Sequence, residues 1–300
     1  MPSAMPANAE PFLREFLYVD TDRVRSLLGQ LYEGVPEQIK NTEARHRNWQ
    51  LGLRGLAGAE GGPSSGEEET RALSDLHFSM LEEVAEATGF LRDISDHARD
   101  ARQWKRGKLH KTLSGGDLVR VTAPTRILDP RYITATLESQ DSAFGQSPDP
   151  TSVDFAQVKS LVHALYGPGV VVRSFPAGLD EPECNFVGTL LDDPRYIERE
   201  RATLFARHGV EAQEWTIVGQ VARLTTQEPA PRLALSGMNE MMSGDGHSLN
   251  RGKFEEFLAQ VMQYIEKTGL SEGPQHPAIA LTPLAVYRVL LKPDSQEDVS

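Results

Sequence analysis

An aspartate and a histidine stand close together in a glycine-flanked stretch of the C-terminal third of the chain. In MMSGDGHSLN, residues 241–250, Asp245 and His247 alternate with glycines and have serines on either side. A carboxylate and an imidazole can move protons to and from a substrate, and glycines let a loop fold closely around a ligand. The stretch contains no Gly-x-Ser-x-Gly elbow. A hydrolase-type site and a flexible connector therefore both remain open as interpretations.

A second group of residues could bind an anion. The densest positive charge of the chain lies at residues 105–111, where the basic side chains are Lys105, Arg106, Lys108, His110 and Lys111. Such a cluster could hold a small anionic ligand or an acidic partner. It could equally be the solvated end of a helix, where cations complement the helix dipole.

The remaining histidines and the single cysteine form no pattern that predicts a metal ion or a cofactor. The sequence has no His-Glu-x-x-His pair and no Cys/His cluster. LSGGDL, residues 113–118, lacks the helix that should follow a dinucleotide-binding fingerprint. Cys184 has acidic neighbours that disfavour a thiolate, so we expect a buried structural thiol.

Charge and composition indicate a soluble chain of the reducing cytoplasm. Among 300 residues, 31 basic and 43 acidic side chains give a net charge of -12, which disfavours nucleic acid as a partner. One cysteine excludes an intramolecular disulfide. The opening MPSAMPANAEPF lacks the basic start and apolar run of a signal peptide, and no segment approaches the ~20 apolar residues of a membrane span.

Hydrophobic periodicity predicts an α+β fold with a mixed or antiparallel sheet and packed helices. Strands are expected near residues 15–19, 117–127, 169–175, 185–191, 214–224 and 278–291. Helices are expected after Asp20, near 36–48, over 72–106 with a bend or an interruption at Gly89, after Asp129, near 152–166, over 194–207 and over 252–267. Pro124 indicates an edge, a bulge or a break, and Pro283 interrupts the last strand. The N-terminal strand is expected to join the C-terminal one, and no regular βαβ alternation is visible.

A short motif recurs where strands are predicted to end. LDPRYI occurs at residues 128–133 and LDDPRYI at residues 191–197. Asp129 and Asp193 can each cap a helix whose first position is proline, and Asp20 can cap the first helix without one. A duplicated strand–turn–helix unit would explain the match, and so would independent capping.

Composition divides the chain into a globular region and polar ends. Residues 1–13 and 292–300 read as disordered tails, and residues 14–291 as one globular region with a subdivision near 140–152. The glycine- and serine-rich residues 51–70 read as a flexible loop or as a contact loop.

Four segments resemble an uncharacterised family of bacterial proteins of about this length. They are REFLYVDTDRVRSLLGQLYEGV near the start, GDLVRVTAPTRILD in the centre, WTIVGQV and the terminal LTPLAVYR. The resemblance implies a bacterial cytoplasmic α+β protein over residues 14–291. It implies no catalytic residue.

Three functions are compatible with these observations. The first is a non-enzymatic interaction or sensor protein with a protein partner or a second copy, in a regulatory or phage-defence system that the resemblance alone suggests. The second is a hydrolase-type enzyme that uses Asp245 and His247. The third is a small-anion binder that uses the cluster at 105–111.

Overall fold

The computed structural model describes residues 13–34, 65–144, 155–167, 169–197, 200–227, 251–267 and 273–290. The strands are β1 (Leu13–Val19), β2 (Leu91–Asp93), β3 (Leu118–Leu128), β4 (Val170–Ser174), β5 (Phe186–Leu190), β6 (Gln213–Leu224) and β7 (Ile279–Leu290). The helices are α1 (Thr21–Gly34), α2 (Ser65–Ala87), α3 (Ser95–Arg99), α4 (Ala101–Lys105), α5 (Lys108–Thr112), α6 (Pro130–Phe144), α7 (Phe155–Leu165), α8 (Arg201–His208) and α9 (Arg251–Lys267). The α+β class is confirmed. No helix in the described ranges combines the length and the hydropathy needed to cross a membrane.

The strands of the described ranges form one mixed sheet of seven strands that closes on itself. Pairing runs from β3 to β4, β5, β7 and β6 and returns from β6 to β3. The β5–β7 and β2–β3 pairs are parallel, and the other pairs are antiparallel. β1 extends the sheet from β7, so the N-terminal strand joins the C-terminal one as predicted.

Both prolines lie inside the sheet, Pro124 at a gap between two partner strands and Pro283 at an irregularity in the pairing of β7 with β6. β3 pairs with β2 up to Arg120 and with β4 from Thr125 onwards, so Pro124 faces the space between these two partners. On that side the N–H of Thr122 bonds to a side chain, Ser95 Oγ, and the missing N–H of Pro124 costs no ladder bond. Pro283 packs against Gly188 of β5, where a Cβ would lie 2.6 Å from the proline Cγ. The glycine is therefore required by this close approach.

Two hydrophobic clusters attach the helices to the sheet. The larger cluster joins the strands to α3–α5 through Trp104, whose indole N–H donates to the carbonyl of Ala98 at 2.7 Å and whose ring meets Phe186 edge-on. The smaller cluster packs α1 and α2 on β1 and β7 through Val24 and Phe78. Both clusters are built from buried apolar side chains, which supply most of the stability of a fold of this size.

A buried carboxylate anchors α2 on the sheet. Glu82 is 3% exposed and accepts a hydrogen bond from the hydroxyl of Tyr287 at 2.7 Å. It also pairs with Arg14 of β1 at 2.5 Å and with Arg120 of β3 at 2.9 Å. One helix residue thus ties together three strands of the sheet.

The helix predicted over residues 72–106 is wrong in its second half. α2 ends at Ala87, and Gly89 adopts a φ of +75° that only glycine takes easily. The chain then enters β2, and Asp93 and Asp100 accept backbone N–H groups at the starts of α3 and α4. The apolar residues of these short helices and turns follow a helical spacing, so the sequence of this segment looks like that of one long helix.

Two further boundaries differ from the predictions. Residues 65–70, predicted as part of a flexible loop over 51–70, belong to α2, while 51–64 lie outside the described residues. The helix predicted over 194–207 begins at Arg201, because Asp193 opens only a single turn whose Ile197 bridges to Tyr18 of β1. The predicted helix near 36–48 also lies outside the described residues.

The caps at Asp20 and Asp129 are confirmed. The N–H of Arg23 donates to Asp20 Oδ1 at 3.1 Å, and the N–H of Tyr132 donates to Asp129 Oδ1 at 3.1 Å. Of the two copies of Pro-Arg-Tyr-Ile, only the one after Asp129 begins a helix directly. The shared residues therefore do not encode a shared structure.

Candidate ligand-binding site

The structure describes one of the two predicted sites, the basic cluster, but not the other, the Asp245/His247 site. Asp245 and His247 lie outside the described residues, so the hydrolase-type site stays a prediction. The basic cluster is described and is spread over three pieces of chain. Lys105 ends α4, Arg106 follows it, and Lys108, His110 and Lys111 lie on α5.

The structure shows which side chains of the basic cluster contact other polar groups of the fold. Lys105 Nζ lies 2.6 Å from Glu181 and 3.6 Å from Glu183, and the hydrogen bond to Glu181 raises the pKa of the lysine. His110 is half-buried, whereas Arg106, Lys108 and Lys111 are exposed. Among the five basic residues, Lys105 and His110 are therefore the two whose contacts we follow into the fold.

His110 packs against a second histidine. Its ring centroid lies 5.0 Å from that of His276, in the segment before β7. His276 Nδ1 lies 3.3 Å from the carbonyl oxygen of Thr225, and His110 Nε2 lies 3.5 Å from the hydroxyl of the same residue. Burial, and then the neighbouring His276, lower the pKa of His110. The lowered pKa of His110 favours a neutral imidazole where the sequence suggested only a positive charge.

His276 also lines a polar cavity of about 280 Å³, which we call the Arg173 cavity. The cavity lies between the end of α7, β4, the loop before β5 and the segment before β7. The polar side chains around it are Tyr166, Arg173, Glu183, Asn185, Gln275 and His276. Its volume lies just below the lower end of the range of small-molecule pockets, roughly 300 Å³, so the cavity suits a small and polar ligand.

Arg173 is the residue that gives this cavity its charge. Its Nη1 donates to Asn185 Oδ1 at 3.1 Å, and burial lowers the pKa of the guanidinium. Asn185 is 2% exposed, and its amide nitrogen donates to the carbonyls of Pro182 and Glu183. The asparagine is thus fixed in the orientation that accepts from Arg173. Within the described ranges, no carboxylate lies at ion-pair distance from this guanidinium.

A second arginine lies across the sheet from Arg173, is exposed and stands outside the lining of the cavity. Arg126 on β3 lies directly opposite Arg173 in the antiparallel β3–β4 pair, so the two side chains leave the sheet on the same face. The Arg126 guanidinium lies 5.6 Å from the ring centroid of Phe175. Like charges directly opposite one another destabilise a sheet unless something else compensates them.

The thiol of Cys184, near the cavity, is not activated as a nucleophile. Cys184 is buried, as predicted, and burial together with Glu183 and Glu181 raises its pKa to about 11. Ligand atoms of Cys184, Glu181 and Glu183 lie within 4.8 Å of one another. They could hold a metal ion only after the thiol lost its proton and Lys105 left the two carboxylates.

The sequence prediction missed the central residues of this cavity. A signal for Arg173 existed, because it is the one charged residue in the otherwise apolar stretch GVVVRSF. Asn185 and His276 carried no comparable signal, since their roles depend on chain segments that meet only in the fold.

The comparisons with known proteins place the chain in a family without naming an activity. No curated protein and no solved structure matches it. A family described as a domain of unknown function (DUF6414) matches residues 13–287, which include all the residues of the Arg173 cavity. Since this match covers most of its length, the chain belongs to the DUF6414 family.

Proposed function

We propose that this chain is a non-enzymatic sensor that binds a small anionic ligand, carrying a carboxylate or phosphate group, in the Arg173 cavity. The observation that carries the proposal is the half-buried guanidinium of Arg173. It is held by a fixed asparagine, and no carboxylate among the described residues lies at ion-pair distance from it, although Glu183 also lines the cavity.

Physical chemistry explains why this arrangement points to an anion. A guanidinium removed from water needs a counter-charge, and Asn185 supplies only a neutral acceptor for one of its N–H groups. The planar fork of arginine matches carboxylate and phosphate oxygens in a two-point contact. Arg126, opposite on β3, is exposed and does not line the cavity, so Arg173 is the guanidinium that would meet the anion.

The same surroundings favour binding over turnover. The raised pKa of Cys184 keeps its thiol protonated at neutral pH, so it is a poor nucleophile. Tyr166 and the fixed Asn185 offer contacts to a ligand rather than a base. Of the lining groups that could act as a base, Glu183 is shared with Lys105, and His276 is hydrogen-bonded to the Thr225 carbonyl. The regulatory or phage-defence role, the protein partner or second copy, the bacterial source and the cytoplasmic location remain predictions.

The first experiment is native mass spectrometry of the chain purified gently from its own host. We expect additional mass of a small molecule that is lost on denaturation and is absent from an Arg173→Met variant. Arg106→Met is the matched control, because it removes an exposed arginine of the basic cluster that does not line the cavity. Loss of the ligand from the control but not from Arg173→Met would overturn the proposal.

A stability measurement on the same variants separates a binding role from a structural one. An arginine kept for ligand binding carries an uncompensated desolvation cost, whose relief in Arg173→Met is offset by the buried acceptor that Asn185 Oδ1 becomes, so the free energy of unfolding of the ligand-free protein should change by less than about 1 kcal/mol. A structural arginine would cost clearly more than that when removed. Urea unfolding followed by tryptophan fluorescence measures the difference.

A further inference from the structure

The hydrogen bonds around Thr225 fix the proton positions of the histidine pair beside the Arg173 cavity. A carbonyl oxygen can only accept, so His276 Nδ1, at 3.3 Å from the Thr225 carbonyl, carries the proton. The Thr225 hydroxyl donates to the carbonyl of Ala278 at 2.7 Å, which leaves it as an acceptor for the N–H at His110 Nε2. In the neutral pair, His276 Nε2 and His110 Nδ1 are therefore bare acceptors.

These two acceptors are not equivalent. His110 Nδ1 is buried and has no hydrogen-bond partner among the described residues. A proton placed there would put a charge in a site without a counter-group. His276 instead lines the cavity, so an ion in the cavity can compensate a charge on its ring. An anion approaching a neutral His276 would meet a lone pair, whereas a protonated Nε2 would donate a hydrogen bond to it.

The charged and titratable groups around the pair agree with this assignment. Arg173 on β4 lines the same cavity as His276, so an anion bound there would offset a positive charge on either side chain. Glu183 and Tyr166 also line the cavity, but Glu183 is shared with Lys105 of α4. On α5, Lys108 and Lys111 flank His110 and are exposed, so solvent screens them.

We propose that the Arg173 cavity binds its anion together with one proton, which the His110–His276 pair takes up at Nε2 of His276. This inference rests on the proposed function and makes the sensor respond to acidity as well as to its ligand. Two positive rings at 5.0 Å would repel each other, so the pair takes one proton and not two. By linkage, the affinity for a fully ionised anion falls as pH rises, by at most about tenfold per pH unit.

Sulfate is the probe of choice, because it stays dianionic across the neutral range and contributes no proton of its own. Calorimetric titration at constant ionic strength, in two buffers of different ionisation enthalpy, counts the protons taken up per sulfate bound. We expect net proton uptake and an affinity for sulfate that weakens as the pH rises, by at most about tenfold per pH unit.

His276→Asn should bind sulfate without proton uptake. The asparagine amide can keep the hydrogen bond to the Thr225 carbonyl but cannot titrate. The matched control is His97→Asn, on the exposed side of α3, which should behave like the parent chain. If the variant does not fold, the proton count on the parent chain still decides the question.

The outcomes separate this inference from the proposed function. Sulfate binding that is independent of pH and takes up no proton would overturn the proton linkage and leave the anion site standing. Proton uptake that persists in His276→Asn would also overturn the linkage. No sulfate binding at any pH, or undiminished binding in Arg173→Met, would overturn the anion site and the linkage together.

Discussion

At the scale of single residues, the cross-strand pair of Arg126 and Arg173 is a local conflict that a ligand would resolve. Two arginines directly opposite each other oppose strand pairing by a few tenths of a kcal/mol or more. A protein keeps such an arrangement more readily at a binding site than in a purely structural sheet. The conflict can be relieved by substitution, which gives a direct test.

Arg126→Glu should stabilise the fold and abolish anion binding. The introduced carboxylate would lie opposite Arg173, replace a repulsive pair by an attractive one and raise the free energy of unfolding by about 0.5–1 kcal/mol. The same carboxylate would pair with the Arg173 guanidinium, which would then no longer be available to the proposed anion. Arg126→Gln is the control, since it removes the repulsion without offering a counter-ion and should retain sulfate binding. Urea unfolding and sulfate calorimetry measure the two effects, and unchanged affinity in Arg126→Glu would contradict the assignment.

At the scale of elements, local signals predicted the strands well and the short helices poorly. β6 and β7 were visible because alternating or continuous apolar residues fill positions that are buried in the sheet. The caps at Asp20 and Asp129 were visible because capping is a contact between neighbours in sequence. Gly89 was expected to bend or interrupt a helix over 72–106, but that helix was wrongly expected to continue beyond it, since the apolar residues there keep a helical spacing although they pack as β2 and α3. The Arg173 cavity was missed because four separate chain segments form it.

The attachment of α2 gives a prediction at this scale. Glu82→Gln should lower the free energy of unfolding by about 3–5 kcal/mol, because Arg14 and Arg120 would lose the buried carboxylate that compensates them. Glu86→Gln, which removes a 59% exposed partner of the same Arg120, should cost less than about 1 kcal/mol. Chemical denaturation of both variants measures the contrast. Equal effects would mean that solvent reaches the Glu82 site and that α2 is held by its apolar face alone.

At the scale of the whole molecule, folding buries ring nitrogens of histidines from distant parts of the chain. His77 on α2, His110 on α5 and His208 at the end of α8 each have a ring nitrogen that is buried without a hydrogen-bond partner among the described residues. Burial is the main cause that lowers the pKa of all three. Below the ordinary histidine pKa of about 6.5, the unfolded chain therefore binds more protons than the folded one.

The sign of the pH dependence follows from this difference. The contribution of these histidines to stability is complete above about pH 6.5 and is lost as the pH falls from there towards their lowered folded-state pKa values, by at most about 1.4 kcal/mol per pH unit for each ring. Asp20 acts in the opposite direction, because burial raises its pKa and protonation then favours the folded state.

A comparison of variants separates the contribution of the histidines to the pH dependence from that of Asp20. Urea midpoints at about pH 7 and about pH 5.5 should differ less in His208→Asn than in the parent chain, and exposed His97→Asn should keep the parent difference. An unchanged difference in His208→Asn would show that its ring titrates alike in the folded and unfolded chain.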